Sequence, residues 1–278
     1  MSARSIKKYL DKETAIAELR LLLAHPKSKN LTYVVVEGTD DSLLMKKFFD
    51  EDVQIIESYS GCQGVKNIVL GVFTDKNNVI GICDMDYNKH DIYQKIFSYD
   101  YSTWEIMVLS NYDIFHSLYC EYYKGKLTSK ELYIEVFERL KIISLIREEN
   151  YKHEYGINFN VLRYAGLLDA VDWNGEILRV LSKGNTIDIS KCIEDSQERC
   201  SCEEWLLEDY LNNTNGHDFL YLLKAIFQYF DRKLQLNDKM LSSIVRCSYT
   251  MEYFKESKLY ANLKFYEEKN GIIICKTR

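Results

Sequence analysis

Apolar positions along this chain fall into two regimes. Ala15, Ile16, Leu19, Leu22 and Leu23 share one face of a 3.6-residue period, and His25-Pro26 closes that segment because proline cannot continue a helix. From residue 31 the pattern shortens. Residues 33–37 (YVVVE), 53–58 and 79–84 (VIGICD) are β-branched runs of strand length. Between them, residues 41–49 place Leu44 and Phe48 on a helical face, and Val65, Ile68, Val69, Val72 and Phe73 trace a second one. Residues 105–109 read as a fourth strand. Strands and helices alternating at this spacing predict βαβ units and a mostly parallel sheet.

From about Tyr112 the period becomes mainly helical: Leu132, Val136, Leu140 and Ile143 share a face, as do Phe219, Leu223, Ile226 and Phe230. The pieces between residues 151 and 188 are short and read as strands or turns, and residues 271–275 read as a terminal strand. The expectation is an α/β fold, a mostly parallel sheet flanked by helices and followed by a mainly helical C-terminal region. Its organisation would be an N-terminal helical segment (1–30), a sheet domain (31–120) and a helical domain (121–278).

Composition narrows this picture. The 278 residues are 46% hydrophobic, which excludes a disordered chain, and a single proline with 12 glycines argues against a turn-rich barrel or sandwich. No apolar run approaches the ~18 residues of a membrane span. Residues 1–10 carry basic side chains with no apolar segment behind them, unlike a secretion signal. The eight cysteines include no CxxC and read as reduced thiols of a cytoplasmic protein. Cys192, Cys200, Cys202 and His217 could be assembled into a zinc site, but a lone CxC lacks zinc-finger spacing. A formal charge of −6 gives no bulk attraction to nucleic acid, so a phosphate partner needs a local basic patch or a bound cation.

The candidate chemistry lies where parallel sheets bind ligands, beyond the carboxyl ends of the strands. Glu37 ends the first strand and is followed by Gly38, while Asp84 and Asp86 end the third. Residues i and i+2 of an extended segment point the same way, so both aspartates could face one point, with Glu37 in reach from an adjacent strand. Converging carboxylates call for a cation, and a hard ion such as Mg²⁺ or Mn²⁺ fits oxygen ligands best. Each element also has a plain structural reading. Asp40, Asp41 and Ser42 are natural helix caps, and Asp84-Met85-Asp86 has the composition of an acidic turn.

Val35-Val36-Glu37-Gly38-Thr39-Asp40-Asp41 and Ile82-Cys83-Asp84-Met85-Asp86 resemble the two signatures of the TOPRIM domain, shared by primases, topoisomerases and OLD-type nucleases. Together with Asn215-Gly216-His217-Asp218-Phe219-Leu220 they look like the DUF4435 branch, which includes the nuclease effector of the PARIS anti-phage system. The resemblance implies Mg²⁺-dependent phosphodiester cleavage, with Glu37 as ligand or general base, Asp84 and Asp86 as metal ligands and Asp41 in the catalytic group. It further implies RNA, specifically tRNA, as substrate and an ABC-type ATPase as partner. An OLD-like DNA nuclease and an inactive TOPRIM binding module that regulates an ATPase are the alternatives. Family members often carry Asp-x-Glu after the fourth strand. Here Asp113 matches as a further metal ligand, but Phe115 stands in place of the glutamate.

Lys46, Lys47, Lys66 and Lys89 flank the motifs and could hold a phosphate backbone, although exposed lysines are commonly just solvated. Gly61-Cys62-Gln63-Gly64-Val65-Lys66 lacks the GxxxxGK[ST] pattern, so ATP hydrolysis would have to come from a partner. Twenty-two tyrosines could stack on bases, and a tyrosine-rich helical half is equally suited to a homodimer face or to its own core.

Overall fold

The computed structural model describes residues 12–25, 31–87 and 94–276. Two compact units emerge, one of residues 1–100 and 250–278, the other of residues 101–249.

The first unit is built on four strands, β1 (Thr32–Val36), β2 (Val53–Glu57), β3 (Val79–Cys83) and β4 (Ile96–Ser98), in the order β2-β1-β3-β4. All neighbours run parallel, with Val36 opposite both Glu57 and Ile82. Every residue of β1 and β3 is buried, as continuous apolar runs covered on both faces require. One face packs against α1 (Lys12–Ala24), α3 (Gly61–Lys66) and the π-helical turn Asn67–Val72, where Ile16, Leu19, Val65, Ile68 and Val69 meet Tyr33 and Val35. Following β1, α2 (Thr39–Met45) buries Leu44 and Met45, and Phe48 just beyond it is buried too.

Gly81 sets how closely α3 approaches the sheet. A Cβ there would lie 2.5 Å from Val65 Cγ1 and 3.3 Å from Ile96 Cγ1. Gly81→Ala is therefore expected to destabilise the protein by about 1–3 kcal/mol through overpacking, read as a lower urea midpoint.

The C-terminal residues return to this unit. Phe254 of α12 (Met251–Lys255) stacks on Phe48 at 4.5 Å, and Asp100 accepts the backbone N–H groups of Lys258 and Leu259 at the start of α13 (Lys258–Asn270). The expected strand at 271–275 is reduced to one antiparallel bridge, Phe49 with Cys275. Its ladder is cut short because the Glu267 carboxylate takes the N–H groups of Ile274 and Cys275, at 2.5 and 2.6 Å. These contacts give a different partition from the expected 1–30, 31–120 and 121–278. The N-terminal helix and the C-terminal residues join the sheet, and the helical unit starts at Tyr101.

In the second unit the expected strand at 105–109 is a helix, α4 (Trp104–Leu109), with the Thr103 side chain accepting the Ile106 N–H. All six of its residues are buried, so no alternation distinguishes the two periods. The actual fourth strand, β4, has three residues and is only partly buried, leaving little apolar signal. The 151–188 region contains no strand. It holds two 3₁₀ turns (Phe159–Val161 and Tyr164–Gly166) and α7 (Trp173–Gly184), N-capped by Asp172. Around α5 (Tyr112–Tyr122), α6 (Ser129–His153) and α10 (Gly216–Phe230), the rings of Phe115, Tyr133, Phe137 and Phe219 form an aromatic core with neighbouring centroids 4.7–6.3 Å apart. The eight cysteines form no disulfide. Among the described residues no helix is long and apolar enough to cross a membrane.

Candidate functional site

The strand order places a topological switch point between β1 and β3: the chain leaves β1 toward β2 on one side, and β3 and β4 lie on the other. Crevices for ligands form outside the carboxyl ends of the strands at such a point. Here those ends carry Glu37 and Gly38 after β1 and Asp84 after β3.

Side-chain alternation decides where Glu37 points. Tyr33 and Val35 face the cluster with α1 and α3, and Cys83 belongs to that cluster as well. Glu37 continues the series and lies beside Cys83, because Val36 is in register with Ile82. Its Oε1 accepts the backbone N–H of Asp84 at 2.8 Å. On its other side is the start of α3. Gly61 adopts a positive φ of 50°, and a Cβ there would come within 3.3 Å of Glu37 Oε2. Ser58 Oγ holds this turn by donating to the Gly61 carbonyl at 2.8 Å.

Asp41 serves a different purpose. It is buried, its Oδ2 accepts the Gly38 N–H at 3.1 Å, and its Oδ1 accepts the Tyr99 hydroxyl at 2.8 Å. Both oxygens thus brace the β1–α2 turn, matching the capping role open to it from the sequence. The surroundings are strongly acidic. Burial, opposed by the Asp84 N–H bond and reinforced by Asp86, the Cys62 thiol and Asp41, pushes the Glu37 carboxyl up to about 8. Tyr99 is raised well above the usual phenol value by burial and by the charges of Asp41, Asp84 and Glu37.

Asp86 and Asp41 thus act on Glu37 electrostatically, and Asp41, Asp84 and Glu37 all act on Tyr99. Among the described residues, however, the one metal-ligating group within 4.8 Å is Glu37, Cys62 and Cys83. The i, i+2 argument for Asp84 and Asp86 needs extended backbone, but β3 ends at Cys83 and Asp86 has a φ of 44°. The aspartates therefore do not inherit the parity of the strand.

Asp113 lies exposed in the first turn of α5, in the second unit, and Phe115 is fully buried there. Lys46 is exposed just after α2, while Lys47 and Lys66 are half-buried, with the Lys47 ammonium 5.4 Å from the centre of the Phe48 ring. Lys89 lies outside the described residues. No metal-ligating group among the described residues includes Cys192, Cys200, Cys202 or His217. The sequence reading missed Cys62, Cys83 and Tyr99 as parts of the site. The signal for Cys83 was available once β1 and β3 were taken as neighbours.

The donor set can be tested against the expected cation. A crowded, desolvated glutamate with a raised proton affinity is a group that a divalent ion would return to its ionised form. The oxygens of Glu37, Asp84 and Asp86 suit Mg²⁺ or Mn²⁺. The thiols suit them less, and Cys83 is also held as a neutral thiol by its hydrogen bond with Cys62 and by burial. Comparison with protein-family models and with curated proteins found no match to this chain.

Glu37 also makes stability pH-dependent. Its folded value of about 8 stands above the ordinary 4.5, so its stabilising contribution is complete below about pH 4.5 and is lost as pH rises through 8. In EDTA, Glu37→Gln is expected to gain stability relative to wild type between pH 5 and 9, by on the order of a few kcal/mol. Urea unfolding of both proteins across that range measures it, and a constant difference would refute the linkage.

Proposed function

We propose that this chain is a divalent-cation-dependent nuclease that hydrolyses nucleic-acid phosphodiester bonds. The observation that carries this reading is the placing of Glu37 and the Asp84-Met85-Asp86 segment beyond the carboxyl ends of two adjacent central parallel strands, where the Glu37 carboxylate accepts the Asp84 N–H at 2.8 Å. The two segments resembling TOPRIM signatures are the ones that meet there.

Glu37, Asp84 and Asp86 would hold Mg²⁺ or Mn²⁺, which when bound would polarise the phosphoryl group and activate water. The chain's own residues supply the rest. Asp41, accepting both the Gly38 N–H and the Tyr99 hydroxyl, fixes the turn that carries Glu37. Without the ion, burial and the neighbouring acids raise the Glu37 carboxyl to about 8; with the ion bound it would be ionised and act as a ligand.

The family resemblance directs the choice of substrate and setting: RNA, with tRNA first, in an anti-phage defence system beside an ABC-type ATPase. A second reading, a binding module without turnover that regulates such an ATPase, draws on one observation. Phe115, standing where the family carries a glutamate, is fully buried against Tyr133 and Phe219.

Incubation of the purified protein with tRNA and with plasmid DNA, in Mg²⁺, Mn²⁺ or EDTA, separates the readings. Cation-dependent loss of tRNA is the expected result, and cleavage of plasmid alone would indicate an OLD-like DNA nuclease. Intact substrates under all conditions would reject the nuclease in favour of the binding module.

A further inference from the structure

The Asn215-Gly216-His217-Asp218 motif has no part in the acidic edge of the first unit. In the second unit it begins α10, with Asn215 as N-cap accepting the Asp218 N–H at 3.2 Å. Glycine is required at 216 because a Cβ would fall 2.3 Å from Thr103 Oγ1 and 2.4 Å from Glu105 Oε2. His217 Nδ1 lies 2.6 Å from Glu105 Oε1, and Asp218 is clasped by Arg147, Nε to Oδ2 at 2.6 Å and Nη2 to Oδ1 at 3.0 Å.

These residues form one wall of a cavity of about 610 Å³, a size in the range of small-molecule pockets. The opposite wall comes from the two 3₁₀ turns. Phe159 lies under the Arg147 guanidinium, 4.0 Å from the ring centre, and Arg163 is exposed at the rim with no carboxylate partner among the described residues. The Tyr164 hydroxyl faces the same cavity: it is buried, makes no well-formed hydrogen bond, and lies in the field of the Asp218 carboxylate. A buried hydroxyl of this kind costs stability unless something completes its bonding.

Three kinds of group therefore converge: a cation at the rim beside the N-terminus of a 15-residue helix, an aromatic face already in contact with a guanidinium, and the side-chain amide of Asn160. Helix N-termini and arginine favour phosphate, aromatic faces favour planar bases, and amides read the edges of bases. We infer that this cavity binds a single nucleotide, its base against Phe159 and its phosphate toward Arg163 and the start of α10. The ligand could be a free mononucleotide or one unit of a strand.

Calorimetric titration of the full chain in EDTA tests this without involving cation chemistry at the acidic edge. The ligands are AMP, GMP, CMP, UMP, ribose 5-phosphate, inorganic phosphate and a short single-stranded RNA. At least one mononucleotide is expected to bind saturably. Arg163→Glu should weaken that binding about tenfold or more, and Phe159→Leu should weaken nucleotide binding while leaving ribose 5-phosphate unchanged. Binding of the RNA alone, with both sensitivities, supports the site with a strand as the source. No saturable binding, binding indifferent to both substitutions, or phosphate and ribose 5-phosphate binding as tightly as nucleotides would overturn the inference. Unfolding midpoints measured alongside confirm that the variants are folded, and Arg163 is exposed enough to be replaced without disturbing the core.

Discussion

Glu37→Gln is expected to reduce cation-dependent phosphodiester cleavage by about 10²–10³-fold, the range that losing several kcal/mol of charge stabilisation produces. Glutamine keeps the shape and can still accept the Asp84 N–H that Glu37 Oε1 receives at 2.8 Å, so the turn should hold while the charge is gone. Cys83→Ser provides the contrast. If oxygen donors alone hold the ion, this variant keeps most of its activity, since Cys83 is buried as a neutral thiol hydrogen-bonded with Cys62. The reverse outcome, activity lost in Cys83→Ser and kept in Glu37→Gln, would dismiss the carboxylate site. Cleavage rates at saturating Mg²⁺ and Mn²⁺, with far-UV spectra to verify folding, make the comparison.

The second large effect concerns stability. Arg147→Ala strips the bidentate partner from Asp218, whose side chain is 7% exposed, and leaves a buried charge uncompensated. The expected cost is about 3–5 kcal/mol in urea unfolding. It also removes the guanidinium lying over Phe159. Arg147→Met combined with Asp218→Leu should recover most of the loss, because removing both charges leaves neither stranded. A single-variant cost below about 1 kcal/mol would mean that solvent already screens the pair.

Much of the first unit could be read directly from the chain. Its central strands are continuous apolar runs, and α1 and the stretch from α3 through the π-helical turn each carry a helical period, so the parallel sheet followed from pattern alone. The misread elements share a physical cause. Residues 105–109 are buried on every side, and a segment with no exposed face shows no period. Residues 271–275 have a strand's composition, but the Glu267 carboxylate competes for their N–H groups.

The site was legible in its location and less so in its geometry. Glu37 and Asp84 follow directly on β1 and β3, and no metal-ligating group among the described residues joins Glu37 to Asp84 or Asp86. That Cys83 and not Asp84 shares Glu37's side of the sheet depends on the β1–β3 register, and no single strand encodes its neighbour's register. The left-handed turn at Asp86 is likewise invisible to a spacing rule.

The sheet-bearing unit is interrupted in the chain: its last helices, α12 and α13, are made only after the whole intervening unit. During synthesis, Phe48 waits for its stacking partner Phe254, and the Glu267 carboxylate that gathers the backbone of Ile274 and Cys275 comes later still. Since domains tend to fold as units while they leave the ribosome, this one cannot finish until α12 and α13 emerge. A nascent chain that stops short of α12 would thus carry the acidic motifs without the packing that completes them.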